Sequence, residues 1–417
     1  DEEFITSPKD YMVRMNMQLS EVLLPGGGKK SYMSTWSEIC NELTKSEYFG
    51  KYINATVKEA KKILPTLDIE GKSDLEKLKI ISDHVKMMYN WNGYYGKYTD
   101  IEKLSNFLKQ KSGNVANLNL YLVGLLRAAN LDANPVIIST RSNGIVSKNH
   151  PFSSFFDYVL AVVKVGEKEY FIDATESLLS YNELPSRCIN VSGLIVKPKG
   201  AESWTFIAQN EVATTSKEFK IIIDPKERKQ NIDIKYTARG DDAFSFRKEY
   251  LANKEDLAPY FKKQYNIDVL NGVQVENYME RDEDFIASFQ ITSPLEGTDD
   301  KLFIKPFCDQ SIVENPFKKN TRSLPIDMIF LTGAKYNSVI EIPDGYEVEY
   351  LPKSSHPKNE TITIDYEAKV EGNKIIIEAG FEMNKNIYPA SEYSRLKAMY
   401  SGAITRFSEM VVLVKKS

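Results

Sequence analysis

Three residue types that carry much of protein chemistry are scarce in this 417-residue chain, with only three Cys, three His and three Trp. Cys40, Cys188 and Cys308 lie far apart. They cannot all pair within one chain, and their spacing fits neither a disulfide framework nor a zinc site. His84, His150 and His356 are equally scattered and suggest no ligand set. No run of about eighteen apolar residues occurs, so no segment reads as a membrane-spanning helix. Neither sign of charge dominates. Lys and Arg number 54 against 58 Asp and Glu, a net charge of -4. Without a dominant basic face, the chain is not expected to bind nucleic acid. The short runs Lys29-Lys30 and Lys415-Lys416 read as solvated. The acidic doublets Asp241-Asp242 and Asp299-Asp300 lack the ligand spacing of a calcium loop. They are expected to cap a helix and solvate a turn. No metal and no cofactor is expected.

What the chain does have is enough apolar residue, 42%, to fill the cores of the two or three domains its length implies. It opens Asp1-Glu2-Glu3, without Met or a signal peptide, and is expected to be a mature or trimmed piece. Tyr11, Val13, Met15, Met17 and Leu19 alternate with Met12, Arg14, Asn16, Gln18 and Ser20, a strand pattern that needs a partner. Pro25 with Gly26-Gly27-Gly28 marks a turn. Ser34 or Thr35 suits the cap of a helix through Trp36, Ile39, Cys40 and Leu43. A second helix covers 52–64 and stops at Pro65. Ser73-Asp74-Leu75-Glu76 matches a capping box opening a third, with Leu75, Leu78, Ile81, Val85 and Met88 on one face. Aromatic Trp91, Tyr94 and Tyr95 follow, either as core or as the wall of a binding pocket.

The most informative stretch is 109–129. Asn114 suits an N-cap, and Leu118, Tyr121, Leu122, Leu125, Leu126 and Ala129 recur at helical spacing. The segment Gly113-Asn114-Val115, running into Leu125-Leu126-Arg127-Ala128-Ala129, resembles the central motif of the transglutaminase-like superfamily of papain-type thiol enzymes. There a Gly-Asp-Cys triplet opens the helix. The resemblance places the nucleophile position at Val115, the general-base His at Tyr158 in Phe156-Asp157-Tyr158-Val159, and the orienting Asp at Asp173 in Phe171-Ile172-Asp173-Ala174-Thr175. Only the carboxylate of that triad is kept. Valine has no nucleophilic atom, and a tyrosine with a pKa of about 10 is a poor base near neutrality. No catalytic residue is expected at these positions. Trp91, Asn114, Asp157, Tyr158 and Asp173 are the residues expected to line a ligand-binding cleft.

Two enzymatic alternatives stay open. Cys188 and His150 fall in one domain and could form a displaced dyad. Against it, Cys188 reads as a buried hydrophobe in a loop past the last core strand, and His150 precedes Pro151 in a polar loop. Asp157 and Asp173 could work as a general acid/base pair. Against that, each could be held by structural hydrogen bonds, Asp173 to Tyr158 and Asp157 in a cap or turn.

After residue 205 the pattern turns to β. Strands are expected over 217–223, 230–238, 267–279, 284–292, 302–306, 338–342, 346–351, 360–369 and 373–382. A helical insertion over 241–264, a helix over 391–407 and a last strand over 410–414 complete it. Asn315-Pro316-Phe317 through Leu324-Pro325-Ile326-Asp327, with Ile342-Pro343-Asp344-Gly345-Tyr346 and Leu351-Pro352-Lys353, resembles the C-terminal sandwich of a family of secreted, multidomain envelope proteins of Gram-negative bacteria. The fold class is therefore α+β: a papain/transglutaminase-like core at 34–204 and an all-β sandwich with a helical insertion at 205–417. Residues 1–33 are expected to end a preceding sandwich domain. The resemblance implies a non-catalytic periplasmic or cell-surface protein that binds an unknown polypeptide or glycan.

Overall fold

The computed structural model describes all residues except 1, 14–16, 18, 32, 33, 198–201, 209–211 and 271. The expected strand over 11–20 falls partly outside the described residues. Within them, a hairpin of Glu21–Leu23 with Lys29–Ser31 turns through the Pro25–Gly28 stretch. The architecture is α+β, and the chain divides into two compact units, Thr6–Gln209 and Asn210–Ser417 with the first five residues.

In the first unit, local chemistry starts the helices where the sequence predicts. Thr35 and Glu38 form a reciprocal capping box for Trp36–Lys45, and Ser73 and Glu76 do the same for Asp74–Met88. Gly50–Ile63 and Leu104–Gln110 add two more helices. Val115–Ala128 is the core helix. Every residue from Val115 to Leu126 is buried, including Asn117 and Asn119. A helix buried all round needs small residues where a neighbour comes close. A Cβ on Gly124 would lie 2.4 Å from Cβ of Thr56, on the Gly50–Ile63 helix. The unit's sheet runs in the order Lys168–Ile172, Tyr158–Val165, Asp132–Ile138, Val191–Val196, Glu202–Ile207, all antiparallel. Tyr158 through Val163 are buried without interruption, as in a strand covered on both faces. The last two strands correct the sequence reading in two places. Cys188 does not follow the last core strand, and the β-region expected from 205 begins with a strand of this first sheet.

The second unit is the β-rich region. Seven strands lie in the order Gln274–Glu276, Phe285–Pro294, Lys229–Arg239, Val212–Asp224, Leu331–Glu341, Lys374–Met383, Ile362–Glu371. All pairs are antiparallel except Val212–Asp224 with Leu331–Glu341. A four-stranded sheet runs Glu296–Gly297, Lys301–Ile304, Val411–Lys415, Tyr346–Tyr350. Alternate residues of the two sheets, such as Phe219, Ile221, Ile232 and Phe381 with Leu302, Ile304 and Leu413, share one apolar core. Helix Tyr393–Phe407 packs into the same core through Leu396, Ala403 and Phe407.

The single helical insertion expected over 241–264 is two helices, Asp241–Ala252 and Ala258–Tyr265. Lys254 and Glu255 take left-handed φ angles of 58° and 63° between them. Pro259 stands in the first turn of the second helix, where its missing N–H costs nothing. The strand expected over 267–279 shrinks to Gln274–Glu276. Among the described residues no helix is long and apolar enough to cross a membrane.

Candidate functional site

The hairpin of Tyr158–Val165 with Lys168–Ile172 brings Tyr158 and Asp173 together. Its register pairs Ala161 with Ile172, so the chain delivers Asp173 to the level of Leu160, two residues from Tyr158. The Tyr158 hydroxyl donates to Asp173 Oδ2 at 2.7 Å and lies 3.1 Å from Thr175 Oγ1. Asp173 Oδ1 accepts from Asn119 Nδ2 and from the Thr175 amide, each at 3.0 Å. Asn119 sits one helical turn beyond Val115. It also donates to the Val159 carbonyl and accepts from the Ala174 amide, tying the core helix to both strands.

Arg187 closes this network from the loop before Val191–Val196. Its Nε donates to the Tyr158 hydroxyl at 3.1 Å and its Nη2 to Thr175 Oγ1 at 2.7 Å. Nη2 also pairs with Asp173 Oδ2 at 3.5 Å, and Nη1 with Glu176 at 2.8 Å. The guanidinium lies 4.8 Å from the Trp91 ring centre, 5.9 Å from Tyr95 and 5.5 Å from Tyr158. Trp91 stacks on Tyr95, whose ring meets Tyr158 edge-on at 5.2 Å. An arginine so placed satisfies a buried carboxylate with hydrogen bonds and spreads its charge over three aromatic faces.

Burial first, and then the negative charge of Asp173, push the Tyr158 hydroxyl well above its usual range. Tyr158 is therefore a hydrogen-bond donor at every physiological pH and not a base. The same two causes, burial first, push the Cys188 thiol up. A thiol so disfavoured as thiolate is not a nucleophile.

The start of the core helix is closed as well. Asn114 caps it through Asn117, with both halves of the capping box formed. The Val115 amide donates to the Tyr94 carbonyl at 3.2 Å. Asn114 Nδ2 donates to the Tyr98 carbonyl, and its amide reaches Asp100. The two-residue parallel pairing of Asn90–Trp91 with Ser112–Gly113 holds this aromatic loop over the helix start. The Val115 and Asn117 amides, which could attract an anion, donate instead to groups of the chain itself. Val115, Tyr158 and Asp173 have no exposed surface.

Of the five expected cleft residues, the structure gathers Trp91, Tyr158 and Asp173 around Arg187. Asn114 serves as the helix cap. Asp157 is spent elsewhere: its carboxylate accepts from the Thr140 amide and hydroxyl, both at 2.7 Å. Asp157 and Asp173 thus form no open acid/base pair. The displaced dyad is not assembled either. Cys188 Sγ faces Asp173 at 4.0 Å, while His150 pairs with Ser147 at 2.9 Å. Among the described residues no three His, Cys, Asp or Glu side chains are grouped to hold a metal. Sequence reasoning missed Arg187, the centre of the network. Nothing local in Leu184-Pro185-Ser186-Arg187-Cys188 marks it, because its partners lie 11 to 96 residues away in the chain.

Comparison with known proteins gives two findings. Residues 300–413 match a family model described as a domain of unknown function with solved structure, DUF3858. The fold resembles a crystal structure titled as a "putative protease" from Parabacteroides distasonis, with a TM-score of 0.54 and 11% identity. That likeness covers 91% of this chain and spans 58% of the other. No curated protein matches. What these findings show is an α+β fold shared with that structure and a C-terminal stretch similar to the DUF3858 model.

Proposed function

We propose that this chain is a non-catalytic, transglutaminase-like protein of the cell envelope that binds a polypeptide or glycan, or scaffolds others that do. The observation that carries the reading is Arg187. Where a thiol enzyme keeps a nucleophile and base exposed to substrate, this chain has a valine, a tyrosine and a carboxylate without surface, and one guanidinium holds the tyrosine and the carboxylate. Buried charge is costly unless fully paired, and this network pairs it. It is built to hold shape. The ligand is then met by surfaces around the closed site, where Tyr94 and Tyr95 stand 69% and 43% exposed. Exposed aromatics of this kind suit recognition.

The test is a thiol-directed assay. The protein is incubated with casein, with an amine donor and with iodoacetamide, and labelled peptides are read by mass spectrometry. The expected result is neither proteolysis nor amine incorporation, and no alkylation of Cys188 in the folded state. Turnover abolished by alkylation of a single cysteine would overturn the reading. The relocated-nucleophile alternative gains no support from the placement of Cys188, His150, Asp157 or Asp173.

A further inference from the structure

The seven-stranded sheet of the second unit has an edge that is only partly covered. Phe285–Pro294 pairs along its whole length with Lys229–Arg239. On its other side, among the described residues, Gln274–Glu276 covers Ile286 to Ser288. The Leu295 amide donates to the Arg228 carbonyl, which fixes the alternation of the ladder. Counting back in twos, Ser293, Ile291 and Phe289 turn their backbone groups to Lys229–Arg239. Gln290 and Thr292 turn theirs outward. Among the described residues these N–H and C=O groups meet no backbone partner.

The neighbouring chain should have covered them. The register Gln274 opposite Ser288, continued backwards, would set Gly272 opposite Gln290 and Leu270 opposite Thr292. Instead Gly272 takes a left-handed φ of 70°, and Leu270 is drawn into the core of the unit. At neither of these two positions does the strand pairing continue. A cleft of about 770 Å³ results, floored by the outward side chains of Ile222, Asn231, Asp233, Gln290 and Thr292 and walled by residues 266–269. Val269 is 71% exposed on that wall. The charged side chains lining the cleft, Asp233 and Asp268, are both acidic.

We infer that this edge is a docking site for an extended polypeptide segment, taken up as an added strand. Alternating outward donors and acceptors match another extended backbone and no other common ligand. The acidic lining favours a segment carrying Lys or Arg, and Ile222 and Val269 favour apolar residues beside it. The inference rests on the reading of the chain as a binding protein but does not use the closed triad. It names a polypeptide as the partner and places it on the second unit.

The experiment is affinity selection from a synthetic library of acetylated, amidated heptapeptides with Lys fixed at the centre, using the whole chain. Recovered peptides are compared with those on Thr292→Pro, which removes one outward N–H, and on Asp268→Lys. The expected result is enrichment on the wild type alone, with at least tenfold weaker binding to both variants. Hydrogen exchange at the Gln290 and Thr292 amides should slow on binding. The selected peptide, resynthesised with alternate backbone N-methyl groups, should lose binding, a control that holds even if Thr292→Pro misfolds. No enrichment, or equal binding of the N-methylated peptide, would overturn the inference. The thiol assay would be unaffected, so the two failures are distinguishable.

Discussion

Arg187 is where one side chain decides the character of the molecule. Its guanidinium compensates Asp173, which is wholly buried, and its own side chain is 18% exposed. Arg187→Ala should therefore destabilise by about 3 kcal/mol, the lower end for breaking a buried pair, since some water can reach the gap. Tyr158→Phe removes one donor to Asp173 and one acceptor from Arg187 but no charge, and should cost about 1–3 kcal/mol. Urea midpoints at constant slope measure both, and equal losses would show that charge compensation is not the larger effect. The proposed triad positions invite a second experiment. Val115→Cys is close in volume and should cost about 1.5 kcal/mol or less. Alone, its thiol should stay unreactive, because the position has no exposed surface. Adding Tyr158→His removes bulk and supplies an imidazole facing Asp173, and the apparent pKa for alkylation should fall. Identical pH profiles for the single and double variants would show that residue 158 does not occupy the base position.

At the level of elements, the core helix shows propensity and packing in conflict. Replacing a mid-helix glycine by alanine favours an isolated helix by about 1 kcal/mol. At Gly124 the added Cβ would lie 2.4 Å from Thr56 Cβ and 3.1 Å from the Ile53 carbonyl, so the Gly50–Ile63 helix must move. Overpacking costs about 1–3 kcal/mol and is expected to win. Gly124→Ala should lower the unfolding midpoint, and a raised midpoint would show that the two helices can part freely. The three tryptophans, Trp36, Trp91 and Trp204, all lie in the first unit, so their fluorescence reports this variant directly. The split helix of the second unit teaches a complementary point. Pro259 was visible in the sequence and could not sit within a continuous helix. Apolar spacing across 241–264 hid the break, because Phe246 on the first helix, Phe261 on the second and Leu257 at the second helix's cap reach the same core.

For the molecule as a whole, pH dependence is set by groups the folds enclose. Lys217, on an inward position of Val212–Asp224, donates to the Gln310 carbonyl at 2.7 Å and lies over Tyr236. Burial pulls its pKa down to about 8. Because this folded value lies below the unfolded reference of about 10.4, the unfolded chain holds more protons between them. Stability from this group therefore rises from pH 8 toward 10 and is lost as pH falls through 8, with a slope of at most about 1.4 kcal/mol per pH unit. Lys217→Met should abolish that slope, read as the difference between wild type and variant in urea unfolding followed by circular dichroism, since this unit has no tryptophan. Parallel pH curves would refute the assignment. Much of the architecture was legible in the sequence. Capping residues Thr35, Ser73 and Asn114, helical periodicity and strand alternation are local, and local sterics and hydrogen bonding fix them wherever they occur. That residue 115 is a valine with no nucleophilic atom was equally plain, since it needs only the identity of one side chain. Tertiary structure alone decided that Asp157 is spent on Thr140, that Arg187 closes the site, and that Gly272 and Leu270 do not continue the pairing along the strand edge. Each of these depends on which distant groups compete for one hydrogen bond or one volume in the core, and periodicity along the chain carries no record of that competition.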